Sequence, residues 1–282
     1  MLIINLSMGQ LCNQLCTFSS CIASSIEYNI PVKNYVFFPY TKYFKCCSEK
    51  ANIIIPTNKL ECSLYNLIAK FISKYRLWRY LKYTINEENC YQSVIEDKLK
   101  HDEFKNHNYW VLNWSYRDSL SFYKHRESIV QYFSLKEPYS NNVESLIENI
   151  RKDNDIIVGV HIRRGDYREW NNGKYYYDNK TYRSIINSIK NSKQLIDKKV
   201  AFVLCSNEKI DFDFFNEYSN QCYPSTGHFV EDCYVLSKCD YIIGPPSTYS
   251  GWASIIGYTP LLHIEGDCME IDINDFKVME KI

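Results

Sequence analysis

No sign of charge prevails in this chain: 33 Lys and Arg stand against 33 Asp and Glu. That excludes a whole-molecule field able to gather nucleic acid or an anionic membrane, so any anion site must be local. Glycine and proline are scarce, 9 and 8 among 282 residues, which rules out collagen-like and low-complexity chains. No CxxC occurs; Cys12, Cys16 and Cys21 are separated by three and four residues and Cys46 adjoins Cys47, so zinc-ribbon spacing is missing. Twelve cysteines in a chain of this length fall below the density of a disulfide scaffold and read as reduced, mostly buried thiols of a cytoplasmic protein. No HxxxH or HExxH is present. No apolar run approaches the ~20 residues of a membrane span. Residues 1 to 26 carry no charge, yet they have no basic start and are interrupted by Asn5, Gly9, Gln10, Asn13 and Gln14, which argues against a signal peptide.

What is present is ample core material, 45% hydrophobic and 16% aromatic. LIINL (2 to 6) is a β-branched run that ends at a Gly-bearing turn and opens a helix-like stretch to Ile26, the start of a nucleotide-binding α/β unit. Residues 40 to 135 are mixed, with helix-like stretches near 63 to 72 and 118 to 132, and fix no topology. Beyond 143 the alternation is clean: a helix at VESLIENIRK, strands at IIVGV, VAFVLC, DYIIG and PLLHI, and helices at TYRSIINSIK, EDCYVLSK and GWASIIG between them. Strands alternating with helices predict a parallel, doubly wound α/β sheet. With KEPYSNN as punctuation, the chain divides into an N-terminal domain, 1–145, and a C-terminal nucleotide-sugar domain, 146–282. Two Rossmann-like halves would hold ligand at the carboxyl ends of their strands, in an interdomain cleft.

The strongest chemical signal is HIRRGD, 161 to 166, directly after IIVGV. Successive strand side chains point to opposite faces, so Arg163 and Arg164 can serve one ligand only where the strand gives way to a loop, a turn that Gly165 permits. Two guanidinium forks there suit a diphosphate; the alternative is a surface Arg pair held by Asp166. PPST, 245 to 248, opens a helix and offers the hydroxyls of Ser247 and Thr248 and a helix amino terminus to phosphates, or simply an N-cap.

HIRRGDY resembles the HxRRxD motif of the α-1,2-fucosyltransferases, a family related to α-1,6- and protein O-fucosyltransferases. Three further segments agree in order: MGQLCNQL (8 to 15) resembles the amino-terminal GGLGNQMF loop, the stretch from Asn108 to Pro138 resembles the GYWQSEKYF segment with its trailing KEP, and residues 231 to 257 resemble the DLxLMSxCxHxIIANSTFSWWAAWL block. The resemblance spans nearly the whole chain and implies a GT-B architecture, GDP-fucose as donor, no metal or other cofactor, and inversion at the anomeric carbon. It sets Asp232 against the guanine base, where a carboxylate accepts from N1–H and N2–H₂ together; an ordinary aspartate there would only complement the helix dipole. It also sets Asn13 and Gln14 toward the pyrophosphate or sugar; their alternative role is N-capping. Departures are Cys12 for the loop's second glycine, Gly251-Trp252 for a Trp pair, and Asn207-Glu208 for an acidic pair.

A nucleotide sugar needs charge neutralised at the leaving phosphate, which arginines and backbone N–H groups supply in place of a metal. Asp211 and Asp213 imitate a metal-binding DxD but fit acids at a helix start. Inversion needs a general base, for which Asp166 and His161 are the candidates. The expected function is transfer of fucose to a glycan hydroxyl, O2 of a galactose, in surface-polysaccharide synthesis, with residues 109 to 117 as an acceptor wall. The alternatives are another linkage or GDP-sugar, or a silent nucleotide-sugar- or glycan-binding protein. Expected partners are GDP-fucose and a glycan acceptor, with membrane association only peripheral, through a lipid-linked acceptor, and no nucleic acid.

Overall fold

Short apolar runs become parallel strands, and the amphipathic stretches between them become the covering helices. The computed structural model describes the chain except residues 8, 47–50, 87, 89, 91, 113–115, 219, 267–270 and 280–282. It forms two units, Met1–Lys136 and Glu137–Ile282, so the helix that contains residue 145 belongs whole to the second.

The first unit runs β1 (Leu2–Ile4), α1 (Leu11–Tyr28), β2 (Val32–Asn34), β3 (Ile53–Ile54), α2 (Lys59–Lys74), β4 (Thr84–Ile85), α3 (Gln92–Lys100), α4 (Glu103–Asn106), β5 (Tyr109–Val111), α5 (Ser119–Lys124) and α6 (Arg126–Tyr132). Its sheet order is β3-β2-β1-β5-β4, every pairing parallel. The uncharged amino-terminal stretch is largely α1, a buried helix. Its serines are tolerated inside because their hydroxyls donate to carbonyls one turn back: Ser19 and Ser20 to Cys16 at 2.9 and 3.2 Å, Ser24 to Ser20 at 3.0 Å. Phe18 packs among Phe37, Tyr132 and Phe133.

The helix-like stretch at 118 to 132 is two helices broken at His125, whose Nε2 lies 2.6 Å from Glu27, a carboxylate that also takes Lys124 at 2.7 Å.

The second unit runs α7 (Tyr139–Arg151), β6 (Ile156–Ile162), α8 (Asn179–Lys190), β7 (Val200–Ser206), β8 (Cys222–Pro224), α9 (Phe229–Lys238), β9 (Tyr241–Gly244), α10 (Thr248–Gly257) and β10 (Leu261–His263). The sheet order is β10-β9-β6-β7-β8, again parallel throughout. β6 and β7 pair over seven residues, Ile156↔Val200 to Ile162↔Ser206. Val158, Val160 and Ile162 on one face of β6, with Phe202 and Leu204 of β7, join Tyr182, Ile185, Ile186 and Ile189 of α8 in one core. α8 starts where Asp178 accepts the Thr181 N–H at 2.9 Å, and that bond holds the Asp178 carboxyl below its usual range.

Cys12, Cys16, Cys21, Cys62, Cys205, Cys222, Cys233 and Cys239 are free and buried. Burial pushes the Cys16 and Cys222 thiols up to about 12, which makes them inert fillers.

Candidate active site

β6 lies in the middle of its sheet between β7 and β9, so its carboxyl end has neighbours on both sides. At Ile162 the strand stops, and Gly165 takes φ +62, the left-handed region that a side chain resists. A Cβ at that position would also come within 3.0 Å of Asn207 Nδ2. Asn207, at the end of β7, accepts the Arg164 N–H at 2.8 Å through Oδ1 and donates to the Arg164 carbonyl at 3.4 Å through Nδ2. An amide both gives and takes, so the departure from an acidic pair has a local reason: an aspartate would accept the N–H and oppose the carbonyl.

The two arginines share one turn but keep separate partners. Arg163 Nη2 pairs with Asp166 at 2.8 and 3.1 Å, and its guanidinium lies 5.5 Å from the centre of the Tyr167 ring. The Asp166 ion pair therefore forms with Arg163 alone among the described contacts. Arg164 donates from Nε to the Tyr177 carbonyl at 3.3 Å and from Nη2 to Asn179 Oδ1, beside the ring of Tyr182. Tyr177, Asn179 and Tyr182 escape a sequence reading because they lie 13 to 18 positions beyond Arg164 in another segment; only the fold brings them in.

β9 pairs with β6 in the register Val160↔Ile243, which sets Gly244 against His161. A Cβ on Gly244 would stand 2.7 Å from the His161 carbonyl. The chain then passes Pro245 and Pro246 into α10, where Ser247 is the N-cap, its Oγ accepting the Tyr249 N–H at 3.1 Å, and Thr248 is the first helical residue. Tyr167 joins the two loops: its hydroxyl donates to the Pro246 carbonyl at 2.7 Å. An arginine-bearing turn and a helix amino terminus are thus tied side by side at the carboxyl ends of adjacent strands, where open α/β sheets bind anionic ligands.

His161 is buried under the Tyr249 ring, 5.0 Å between centres, and its Nδ1 has no partner among the described residues. Burial, then the charges of Arg163 and His263, hold its pKa down at about 3. Such an imidazole is neutral at physiological pH and a weak proton acceptor; its chemistry there is hydrogen bonding. His263, ending β10, has a buried Nε2 with no partner among the described residues and is likewise held low by burial. Nothing in PLLHI distinguishes it from an ordinary strand-end histidine.

Asp232 sits in the first turn of α9, buried, with Oδ1 accepting from Thr226 Oγ1 at 2.9 Å and the Gly227 N–H at 3.1 Å. Burial raises its carboxyl, against hydrogen bonds from Ser225, Thr226 and Gly227. It organises the loop between β8 and α9, which is more than a dipole complement.

In the first unit Asn13 and Gln14 lie inside α1, whose N-cap is Gln10 with no side-chain capping bond; neither is a cap. Both line a small recess with Thr17 and Asn34, and Gln14 Nε2 reaches Ser7 Oγ at 3.4 Å while its Oε1 has no partner among the described residues. The loop motif's Met8 is outside the described residues, as are Asn113, Trp114 and Ser115 of the expected acceptor wall. Two of the wall's described rings need correction: Tyr109 and Tyr116 are buried in the core, Tyr109 against Glu103 and Tyr116 at 2.8 Å from Ser24 Oγ, so they present no face to a sugar; the third, Trp110, is half-buried beside Tyr65. Trp252 is also fully buried, on the inward side of α10, and the Gly251-Trp252 departure is a packing change. Asp211 and Asp213 are exposed at the start of a short 3₁₀ segment, where Asp211 Oδ1 accepts the Asp213 N–H at 3.1 Å.

Known proteins share this fold. The model of Glycosyl transferase family 11 matches residues 67–262, and the chain belongs to that family, the α-1,2-fucosyltransferase family. An alpha-1,2-colitosyltransferase of Escherichia coli is 26% identical over 262 residues, 87% of this chain and 84% of that protein. Among solved structures, the fucosyltransferase NodZ from Bradyrhizobium aligns over 93% of this chain and 94% of its own, TM-score 0.55 at 14% identity. POFUT1 in complex with GDP-fucose aligns over 90% and 93%, TM-score 0.55 at 10% identity. At such identities the likeness is one of fold: two parallel α/β units of the GT-B type. Among the described residues no helix is long and apolar enough to cross a membrane.

Proposed function

We propose that this glycosyltransferase moves L-fucose from GDP-β-L-fucose to O2 of a galactose in a surface glycan, with inversion to an α-linkage. The observation that supports this most is the junction of the Arg163–Arg164 turn with the amino terminus of α10 through the Tyr167–Pro246 bond. In that reading the acceptor hydroxyl attacks the anomeric carbon as its bond to the β-phosphate oxygen breaks, and the acceptor's proton passes to a base. Arg163 and Arg164, with Ser247, Thr248 and the first N–H groups of α10, hold the departing diphosphate. Asp232 accepts from guanine, and neutral His161 hydrogen-bonds without moving a proton. Asp166 orients Arg163 and is the carboxylate left to take the proton. These groups carry the charge without a metal, so turnover is expected to persist in EDTA. The enzyme would be cytoplasmic and act on a lipid-linked acceptor at a membrane surface.

Mass spectrometry of reactions with GDP-fucose and a panel of β-galactosides tests the proposal; no fucosylated product from any acceptor would remove the transfer of fucose to galactose. A second donor is favoured by one observation, the relative named for colitosyl transfer. Colitose is fucose without one ring hydroxyl, so a site for one sugar differs from a site for the other by a hydrogen-bond partner. Competition between GDP-fucose and GDP-colitose in one reaction decides between them.

A further inference from the structure

Helix α2 buries one narrow face and leaves a broader apolar one in water. Its buried side chains are Cys62, Ala69 and Ile72, which with Tyr65 pack toward Ile3, Leu6 and Trp78. On the other side Leu60, Leu64, Leu67, Phe71 and Tyr75 are 83%, 55%, 65%, 55% and 56% exposed. At 3.6 residues per turn these five, with Ile68 between them, fall within about 100° of the helix circumference. The stripe is therefore as ordered as a core face and has no partner element among the described residues. Beyond the helix, Tyr80 and Leu81 are exposed as well.

Charge indicates what covers it. Residues 59 to 82 contain Lys59, Lys70, Lys74, Arg76, Arg79 and Lys82 against Glu61 alone, and Glu61 faces Lys33 at 3.5 Å. Lys59, Lys70 and Lys74 follow one edge of the stripe. This concentration of one sign stands out in a chain whose total charge is zero. Apolar stripe, flanking lysines, and exposed aromatic side chains at Phe71, Tyr75 and Tyr80 form the pattern of a helix that lies in the plane of an anionic bilayer surface. A second copy of the chain fits less well, since an antiparallel two-fold pair of α2 helices would set the basic edges against themselves.

We infer that α2 and the turn after it dock the protein on an anionic phospholipid surface, apolar stripe down, with Lys70 and Lys74 among the headgroups. The site is independent of the donor chemistry, so a vesicle assay without any nucleotide sugar tests it alone. The full chain is expected to sediment with vesicles of phosphatidylcholine and phosphatidylglycerol, weakly with phosphatidylcholine alone, and to be released in part by salt. Lys70→Glu with Lys74→Glu should weaken binding to the anionic vesicles by more than about tenfold, and Leu64→Glu with Phe71→Glu should remove it. Because these side chains are exposed, circular dichroism and melting should match the wild type; should the glutamate pair unfold the chain, Leu64→Ser with Phe71→Ser replaces it. Failure of the wild-type chain to sediment at low salt, or undiminished sedimentation of the Leu64 and Phe71 variant, would overturn the inference. So would a dimer, seen by sedimentation equilibrium, that the same substitutions dissolve.

Discussion

The two units build the same kind of sheet from different material. In the second, β6 and β7 are seven residues long, fully paired and almost wholly buried; in the first, strands run two or three residues, and aromatic side chains from helices and loops supply much of the core. A long buried strand fixes the position of whatever follows it, and the arginine turn follows one of the two longest. The difference teaches that the proposed anion site sits on the half with the long, buried strands, while the first unit leaves one helix face uncovered among the described residues.

If that contrast holds, the largest effects belong to the turn after β6. Arg163→Ala should cut kcat/KM by about a hundredfold or more, since each charge-assisted hydrogen bond contributes roughly 1.5 to 3 kcal/mol. Arg164→Lys should lose nearly as much, because a single ammonium cannot offer the diphosphate the planar fork that a guanidinium does. Near-normal turnover by the lysine variant would remove the arginine clamp. Next comes Asp232→Asn, expected to weaken GDP binding in calorimetry well beyond any effect on ADP; equal losses for both would assign Asp232 to loop architecture alone.

A smaller effect is expected from pH. His161 has a folded pKa near 3 against about 6.5 unfolded, so below pH ~6.5 the unfolded chain takes up a proton that the native one refuses. This contribution is fully present above the unfolded value and declines as pH falls toward 3. His161→Gln should flatten that part of a stability-against-pH curve measured by denaturant unfolding. A slope unchanged by the substitution would show that other groups cause the decline. The smallest effect should come from the first unit: Leu64→Ser, on the exposed face of α2, should alter stability by no more than about 0.5 kcal/mol. A loss like that of a core truncation would mean the face is covered in solution.

The same contrast explains what was legible beforehand. IIVGV, VAFVLC and YIIG are short, continuous apolar runs of the kind a strand buried on both sides produces, so the parallel sheet of the second unit could be read, and with it the place of HIRRGD. Strands of two residues such as Ile53–Ile54 and Thr84–Ile85 carry no periodicity, and β8, Cys222–Pro224, ends in a proline that argues against a strand. Tyr109 and Tyr116 looked like sugar-binding rings because composition does not distinguish a buried tyrosine from an exposed one. The partners of Arg164 and the Tyr167 bridge depend on loop geometry, which local sequence does not encode.

Gly244 has a bearing on how such an enzyme can change over generations. The spacing between the arginine turn and the α10 loop is set where β9 passes the His161 carbonyl, and at that point there is room for a hydrogen and not for a methyl. Variation that retunes donor choice can alter side chains around the rim, one at a time, without touching this contact. A single added carbon at Gly244 would instead push both loops apart together, so the position acts as a fixed gauge for the whole lineage of sites that this scaffold can reach.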